Sequence, residues 1–257
     1  MKIMHNALII VYGFMGIFVV GYANAELLSG YEFVKPETQA MQDDDFANPG
    51  LYAVDAGEEL FTQGHGPAGK SCASCHGDEG EKLDTRAIAS YPVYNSNTQK
   101  IISLQQRISS CRSQITDKPL VVNHPDLLAL ETFVRNRAHG EVVNVATDGP
   151  VAGLLEKGEA LYKTRYGMID MSCHHCHSMY PGKMIRGQKI SQGQGNGFPA
   201  YRLDTGEITG MNQRITQCLN LMSAEPFPSD SEEIKLLELY LMSRSNGLKI
   251  ETPAVRY

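Results

Sequence analysis

Two pentapeptides in this sequence have the form Cys-x-x-Cys-His: Cys72-Ala73-Ser74-Cys75-His76 and Cys173-His174-His175-Cys176-His177. The chemistry available to such a segment is covalent haem attachment. The two thiols form thioethers to the porphyrin and the following histidine binds iron as proximal ligand. A Cys-x-x-Cys pair taken alone could also serve as a redox couple or hold zinc. Two copies, each followed directly by histidine, point instead to haem c, two per chain. Cys72, Cys75, Cys173 and Cys176 would attach the cofactors, and His76 and His177 would bind iron. His174 and His175 fill the variable positions of the second motif and are read as surface or propionate-neighbouring residues.

The other two cysteines of the six, Cys111 and Cys218, lie in matching segments, Gln106-Arg107-Ile108-Ser109-Ser110-Cys111 and Gln213-Arg214-Ile215-Thr216-Gln217-Cys218. Three disulfides, a single disulfide between Cys111 and Cys218, or two inert buried thiols are open structural readings. A sixth iron ligand is the functional one. Methionine, the usual partner in electron-transfer cytochromes c, is absent from residues 51–140, so a ligand shared by both motifs cannot be methionine. His65, His124 and His139 have no histidine counterpart in the second half. Cysteine thiolate is the candidate that both halves share, and its electron donation should lower both haem potentials.

The elements that must position these residues repeat as well. Gly57-Glu58-Glu59-Leu60-Phe61 precedes the first motif at the same distance as Gly158-Glu159-Ala160-Leu161-Tyr162 precedes the second. Each half closes on a helical pattern, Leu127-Leu128-Leu130-Phe133-Val134 or Ile234-Leu236-Leu237-Tyr240-Leu241, ended by Gly140 or Gly247. From Arg107 onward the copies are offset by 107 residues. The fold class expected is mainly α: a tandem repeat of two small cytochrome c-like domains, residues 51–145 and 146–257, each with one covalently bound haem. Gly57 and Gly158 would let the crossing C-terminal helix approach closely. Gly193, Gly195 and Gly197, in the longer loop of the second half, suggest a flexible segment.

Residues 1–25 carry Lys2, an apolar run from Ala7 to Val20, and the small residues Ala23-Asn24-Ala25. This reads as a secretory signal peptide, too short in its apolar part to span a bilayer. Residues 26–50 read as a polar surface extension. The expectation is an exported, periplasmic protein with no membrane span after signal removal. Its formal charge of −6 argues against nucleic-acid binding through overall charge. A small anion would have to be held by local arginines.

At the paired haem motifs, the paired Arg-x-x-x-Cys segments and the end Ser243-Arg244-Ser245-Asn246-Gly247, the chain resembles the SoxA family. These are the haem-bearing catalytic subunits of the SoxAX cytochrome of thiosulfate oxidation. The resemblance implies that His76 with Cys111 ligates one iron and His177 with Cys218 the other. It implies that Cys218 is the active-site cysteine, found as a persulfide, with Arg244 and Arg214 beside the substrate. The implied reaction, that of an L-cysteine S-thiosulfotransferase, joins thiosulfate to a cysteine thiol of the SoxYZ carrier. Electrons pass to a cytochrome c acceptor, and a SoxX-like haem subunit is the implied partner. If Gln213 to Cys218 is helical, Arg214 and Cys218 share a face at i, i+4. A guanidinium suits a tetrahedral oxyanion, and a unit-charge pair gains about 4 kcal/mol at 4 Å near a protein surface. Arg107 and Arg137 are read as propionate partners. The competing functions are a dihaem electron carrier, in which Cys218 is only a ligand, and a dihaem peroxidase.

Overall fold

The structure, a computed structural model, describes residues 26–65, 68–117 and 119–257. The expected signal peptide lies outside the described residues. After α1 (Pro36–Asp43), the first half runs α2 (Leu51–Thr62), α3 (Ala73–His76), α4 (Thr85–Ala89), the hairpin β1 (Val93–Asn95) and β2 (Lys100–Ile102), α5 (Leu104–Arg112) and α6 (Pro125–Asn136). The second half runs α7 (Ala152–Lys163), a π-type turn over His175–Met179, the short hairpin β3 (Met184–Ile185) and β4 (Gln188–Lys189), the hairpin β5 (Ala200–Arg202) and β6 (Glu207–Thr209), α8 (Met211–Leu221), α9 (Glu232–Ser243) and β7 (Ala254–Arg256). The repeat therefore holds for the main helices and one hairpin, whereas α4, the β3–β4 hairpin and β7 have no counterpart. In register, β1 matches β5, α5 matches α8 and α6 matches α9.

Each half is built on a close helix crossing that its glycine makes possible. A Cβ on Gly57 of α2 would stand 2.2 Å from the Ala129 carbonyl oxygen of α6. One on Gly158 of α7 would stand 2.4 Å from the Leu236 oxygen of α9. Any side chain would force the axes apart. Phe61 and Tyr162, on the next turn of the same helices, are each at most 2% exposed and fill the space beside the crossing. The buried apolar residues of both halves form one continuous cluster.

The helices that carry the lone cysteines start at defined points. Ser103 and Gln106 exchange reciprocal side chain–backbone bonds at the head of α5, a capping box. At the head of α8 the Gln213 carbonyl accepts from the Gly210 amide at 2.8 Å. Cys111 and Cys218 consequently lie two turns along in equivalent orientations, with Arg214 one turn before Cys218.

The extension lies on the surface and is also tied down. The Asn48 amide donates to the Pro253 carbonyl at 3.0 Å, and Gln42 accepts from the Val255 amide and the Arg256 guanidinium. That C-terminal segment, β7, lies parallel to β5 in a three-stranded sheet, β6-β5-β7. The glycine-rich loop differs from expectation, being packed instead of flexible. Gln194 to Gly197 are buried, and Cβ atoms on Gly195 and Gly197 would meet Met211, Met242 and Ala254 within 2.8 Å. Absent side chains there let the backbone pass between α8, α9 and β7. Among the described residues no helix is long and apolar enough to cross a membrane.

Candidate haem and thiol site

The second half gathers Cys173, Cys176, His177 and Cys218 at one place. The imidazole of His177 uses Nδ1 toward the Ser191 carbonyl at 2.9 Å. That bond places the ring proton on Nδ1 and leaves Nε2 available, an arrangement that would suit a metal-binding histidine. Gly193 lies under the same ring, with room for a Cβ only 3.0 Å from His177 Cγ. Cys218, on α8, lies close enough to the same histidine for the imidazole to favour its thiolate. Imidazole and sulfur are thus near neighbours and could both serve an iron held there. Burial opposes ionisation of Cys218, yet Arg214 first, then His177 and Arg202, bring it down to about 7. Burial pushes Cys173 up to about 12, and Cys218 adds to that.

The first half gathers Cys72, Cys75 and Cys111 in the same way. Burial raises Cys72, with Arg112 acting against it and Cys111 and Cys75 acting with it. Arg112 follows Cys111 on α5 and is 7% exposed, with Nε and Nη1 buried and lacking partners. Nε2 of His65, whose ring also feels Arg112, is another buried orphan. Unpartnered buried donors beside attachment cysteines are a site prepared for an anionic group, and a haem carboxylate fits it. All six cysteines are free thiols, with neither the three disulfides nor a Cys111–Cys218 bridge present.

Arg107, Arg244 and Arg202 each make contacts within the protein. Arg107 donates from Nε to the Tyr91 hydroxyl at 3.0 Å. Arg244, at the C-terminal end of α9, lies over the Tyr162 ring at 4.9 Å and the Tyr240 ring at 5.9 Å. Its Nη2 donates to the Gln192 carbonyl at 2.9 Å. Nη1 reaches Ser178 Oγ at 3.5 Å, and Nε is buried without a partner. It therefore flanks the turn carrying His177, whereas Arg214 and Arg202 are the guanidiniums acting on Cys218. Arg202 escaped the sequence reading. It closes β5, 5% exposed, with Asp204 Oδ1 3.4 Å from its Nε. The one signal available was its place in the repeat, where the first half has Asn95.

A sequence profile of the SoxA/TsdA cytochrome c domain matches this chain twice, over residues 56–143 and 157–250. The chain belongs to the SoxA/TsdA cytochrome c family. It is 38% identical over 234 residues to the L-cysteine S-thiosulfotransferase subunit SoxA of Rhodovulum sulfidophilum, covering 90% of this chain and 80% of that protein. It is 37% identical over 238 residues to the SoxA subunit of Pseudaminobacter salicylatoxidans, covering 92% and 83%. The crystal structure of SoxXA from P. pantotrophus superposes with a TM-score of 0.83 at 34% identity, over 90% of this chain and 87% of that chain. Membership accounts for the doubled domain, and both matched SoxA/TsdA segments contain one attachment motif and one lone cysteine.

Proposed function

We propose that this chain is the SoxA subunit of a periplasmic SoxXA-type complex and catalyses the oxidative joining of thiosulfate to a cysteine thiol of a SoxYZ carrier. The observation that carries the reading is the influence of Arg214, His177 and Arg202 on the half-buried thiol of Cys218. A sulfur nucleophile poised near neutrality and flanked by fixed cations is equipped to bind an anionic sulfur compound and exchange sulfur with it.

Two haems c are proposed, one on Cys72 and Cys75 with His76 and Cys111, the other on Cys173 and Cys176 with His177 and Cys218. Bound there, haem supplies one-electron acceptance and passes electrons to a cytochrome c. The chain's own residues do the rest. Arg214 and Arg202 hold the sulfonate oxygens. Ser191 keeps the His177 proton on Nδ1. Arg244 braces the turn that carries His177 and is offered to the outer side of the substrate. In the net reaction one sulfur–sulfur bond forms between the terminal sulfur of thiosulfate and the carrier thiol. The thiol proton is released and two electrons leave, giving a cysteine S-thiosulfonate.

The test is turnover of thiosulfate with reduced carrier and oxidised cytochrome c, using the haem-loaded complex, together with intact mass of the Cys218 peptide. Loss of turnover in Cys218→Ser, and added sulfur on Cys218 in the wild type, are expected. A Cys218→Ser protein with full turnover refutes the catalytic role and leaves an electron carrier.

A further inference from the structure

The segments that follow the two attachment motifs differ in charge and in shape. Behind the first motif, residues 77–84 carry Asp78, Glu79, Glu81 and Asp84 against Lys82 alone. That segment folds back on its motif, with the Lys82 amide donating to the His76 carbonyl at 3.0 Å. Its one large apolar side chain, Leu83, packs against the core. Behind the second motif, residues 171–203 contain no aspartate or glutamate, and Lys183, Arg186 and Lys189 stand exposed on the β3–β4 hairpin and its neck. Met184 and Ile185 are neighbours in β3 and so point to opposite faces. Both are nevertheless exposed, as are Met179 and Tyr180 at the root, each with 41% or more of its area open to water. The hairpin therefore projects from the body, displaying apolar area together with three cations.

The root of the hairpin is fixed to the second thiol centre. The segment leaves the turn over His175–Met179 and returns at Ser191, whose carbonyl meets His177 Nδ1 at 2.9 Å. The next carbonyl, that of Gln192, accepts from Arg244 Nη2 at 2.9 Å. The neck is closed by the Gly182 amide on the Ile190 carbonyl at 2.7 Å and the Ile190 amide on the Lys183 carbonyl at 2.9 Å. A two-stranded hairpin has little stability of its own, so these bonds are what hold it in place. Arg186 takes a left-handed backbone, φ 48°, beside Gly187 in the turn. Asparagine or aspartate fills such a place more readily, so the turn itself does not require a cation.

We infer that the β3–β4 hairpin is the docking surface for an acidic face of the protein that brings the acceptor thiol. That protein is the carrier of the reaction proposed above, on which this inference rests. Like charges on one projecting element repel one another and are relieved by a partner's carboxylates. The chain as a whole, at a formal −6, repels an acidic partner, so the local cations decide where it lands. Apolar area left without cover on this chain supplies the close-packed part of such an interface. The acidic segment behind the first motif turns the same partner away. Opposite charges at two equivalent places thus direct the carrier to the half that holds Cys218, with the turn of His177 at the base of the contact.

The test uses the haem-loaded complex with two variants. One combines Lys183→Glu, Arg186→Glu and Lys189→Glu, and the other combines Met184→Ser and Ile185→Ser. Charge reversal should raise the KM for the reduced carrier about tenfold or more at low salt, with kcat and the KM for thiosulfate within about twofold of the parent. Added salt should weaken carrier binding to the parent and not to that variant. The apolar pair should raise the carrier KM without altering its salt dependence. Calorimetric titration of the carrier into the complex without thiosulfate should show the same losses in Kd. Asp78→Lys with Glu79→Lys, behind the first motif, should leave the carrier KM and Kd unchanged. A carrier KM and Kd within about twofold of the parent in both hairpin variants would overturn the docking surface. So would loss of the haem subunit on purification, which would put the hairpin in that interface, or a lowered haem content, which would make it a wall of the cofactor site. Failure of the underlying reaction looks different, since Cys218→Ser would then turn over normally while the calorimetric losses remain.

Discussion

Two glycines on α7 should respond to alanine with opposite signs. Gly158 is pressed against α9, so a Cβ would lie 2.4 Å from the Leu236 oxygen and 2.9 Å from Tyr240 Cβ. A backbone carbonyl cannot swing away, and the helices must separate. Overpacking of this kind costs about 1–3 kcal/mol, against which alanine returns up to ~1 kcal/mol of helix propensity. Gly158→Ala should therefore lose about 1–2 kcal/mol net, lowering Tm by roughly 2–8 °C in a protein of this size. Gly153 stands on the same helix with nothing within 4 Å of its would-be Cβ. Gly153→Ala keeps the propensity gain alone and should raise Tm by about 1–4 °C. Far-ultraviolet circular dichroism melts of the haem-loaded protein provide the assay. A Gly158→Ala protein that melts at or above wild type would refute the close crossing as the reason for glycine. The consequence extends to the site, because α7 also carries Tyr162, on which Arg244 rests.

Cys72→Ala with Cys75→Ala should reduce the haem content by pyridine haemochrome from two per chain to one, whereas an unchanged value would remove the first motif as an attachment site. Glu238 is pushed up to about 8 by burial first and Glu131 next, so the folded protein keeps a proton that an unfolded carboxyl loses near pH 4.3. Stability should accordingly fall as pH rises from about 4.5 to 8 and level off above; Glu238→Gln should flatten that decline, worth at most about 5 kcal/mol given the solvent contact Glu238 retains, in urea titrations across pH. Asn48→Ala, which deletes buried bonds to Gln42, Gly50 and Pro253, should cost about 1–3 kcal/mol and expose the extension to early proteolysis; an extension as resistant as in wild type would show that those bonds do not hold it.

The haem motifs, the tandem helices and the shared face of Arg214 and Cys218 were legible because each depends on residues close together in sequence. Gly57 and Gly158 were legible for a related reason, since two copies of one pattern reveal a position that tolerates no side chain. The sheet of β6, β5 and β7 was not, because β7 joins β5 from more than fifty residues away and is only three residues long. The packed glycine loop was misread because glycine signals either freedom or close approach, and only tertiary neighbours decide which. Arg202 and the aromatic platform under Arg244 were missed on similar grounds. A lone arginine at a strand end has many surface uses, and its burial beside a thiol is a property of the assembled halves.

Duplication also has a cost that the interface makes visible. Glu131 and Glu238 are repeat mates, 107 residues apart on α6 and α9, and both line a space of about 10 Å³ between those helices. Two identical carboxyls brought together out of water cannot both ionise cheaply. The neighbours break the tie. Gln105 donates to Glu131 at 2.8 Å, and Arg135, one turn along α6 and 4% exposed, faces both carboxyls. The mate of Gln105 is Asn212, whose side-chain oxygen is instead engaged by the Gln213 amide at 2.8 Å. The mate of Arg135 is Met242, which brings no charge. Burial raises both carboxyls, but donors and cation gather on the first-half side and act against that rise at Glu131, while Lys235 is drawn off from Glu238 to Asp230 at 3.0 Å. The same logic governs the thiol centres: equivalent frames differ at a few contact positions, with Arg107 bonded to Tyr91 near an exposed Cys111 and Arg214 acting on a half-buried Cys218.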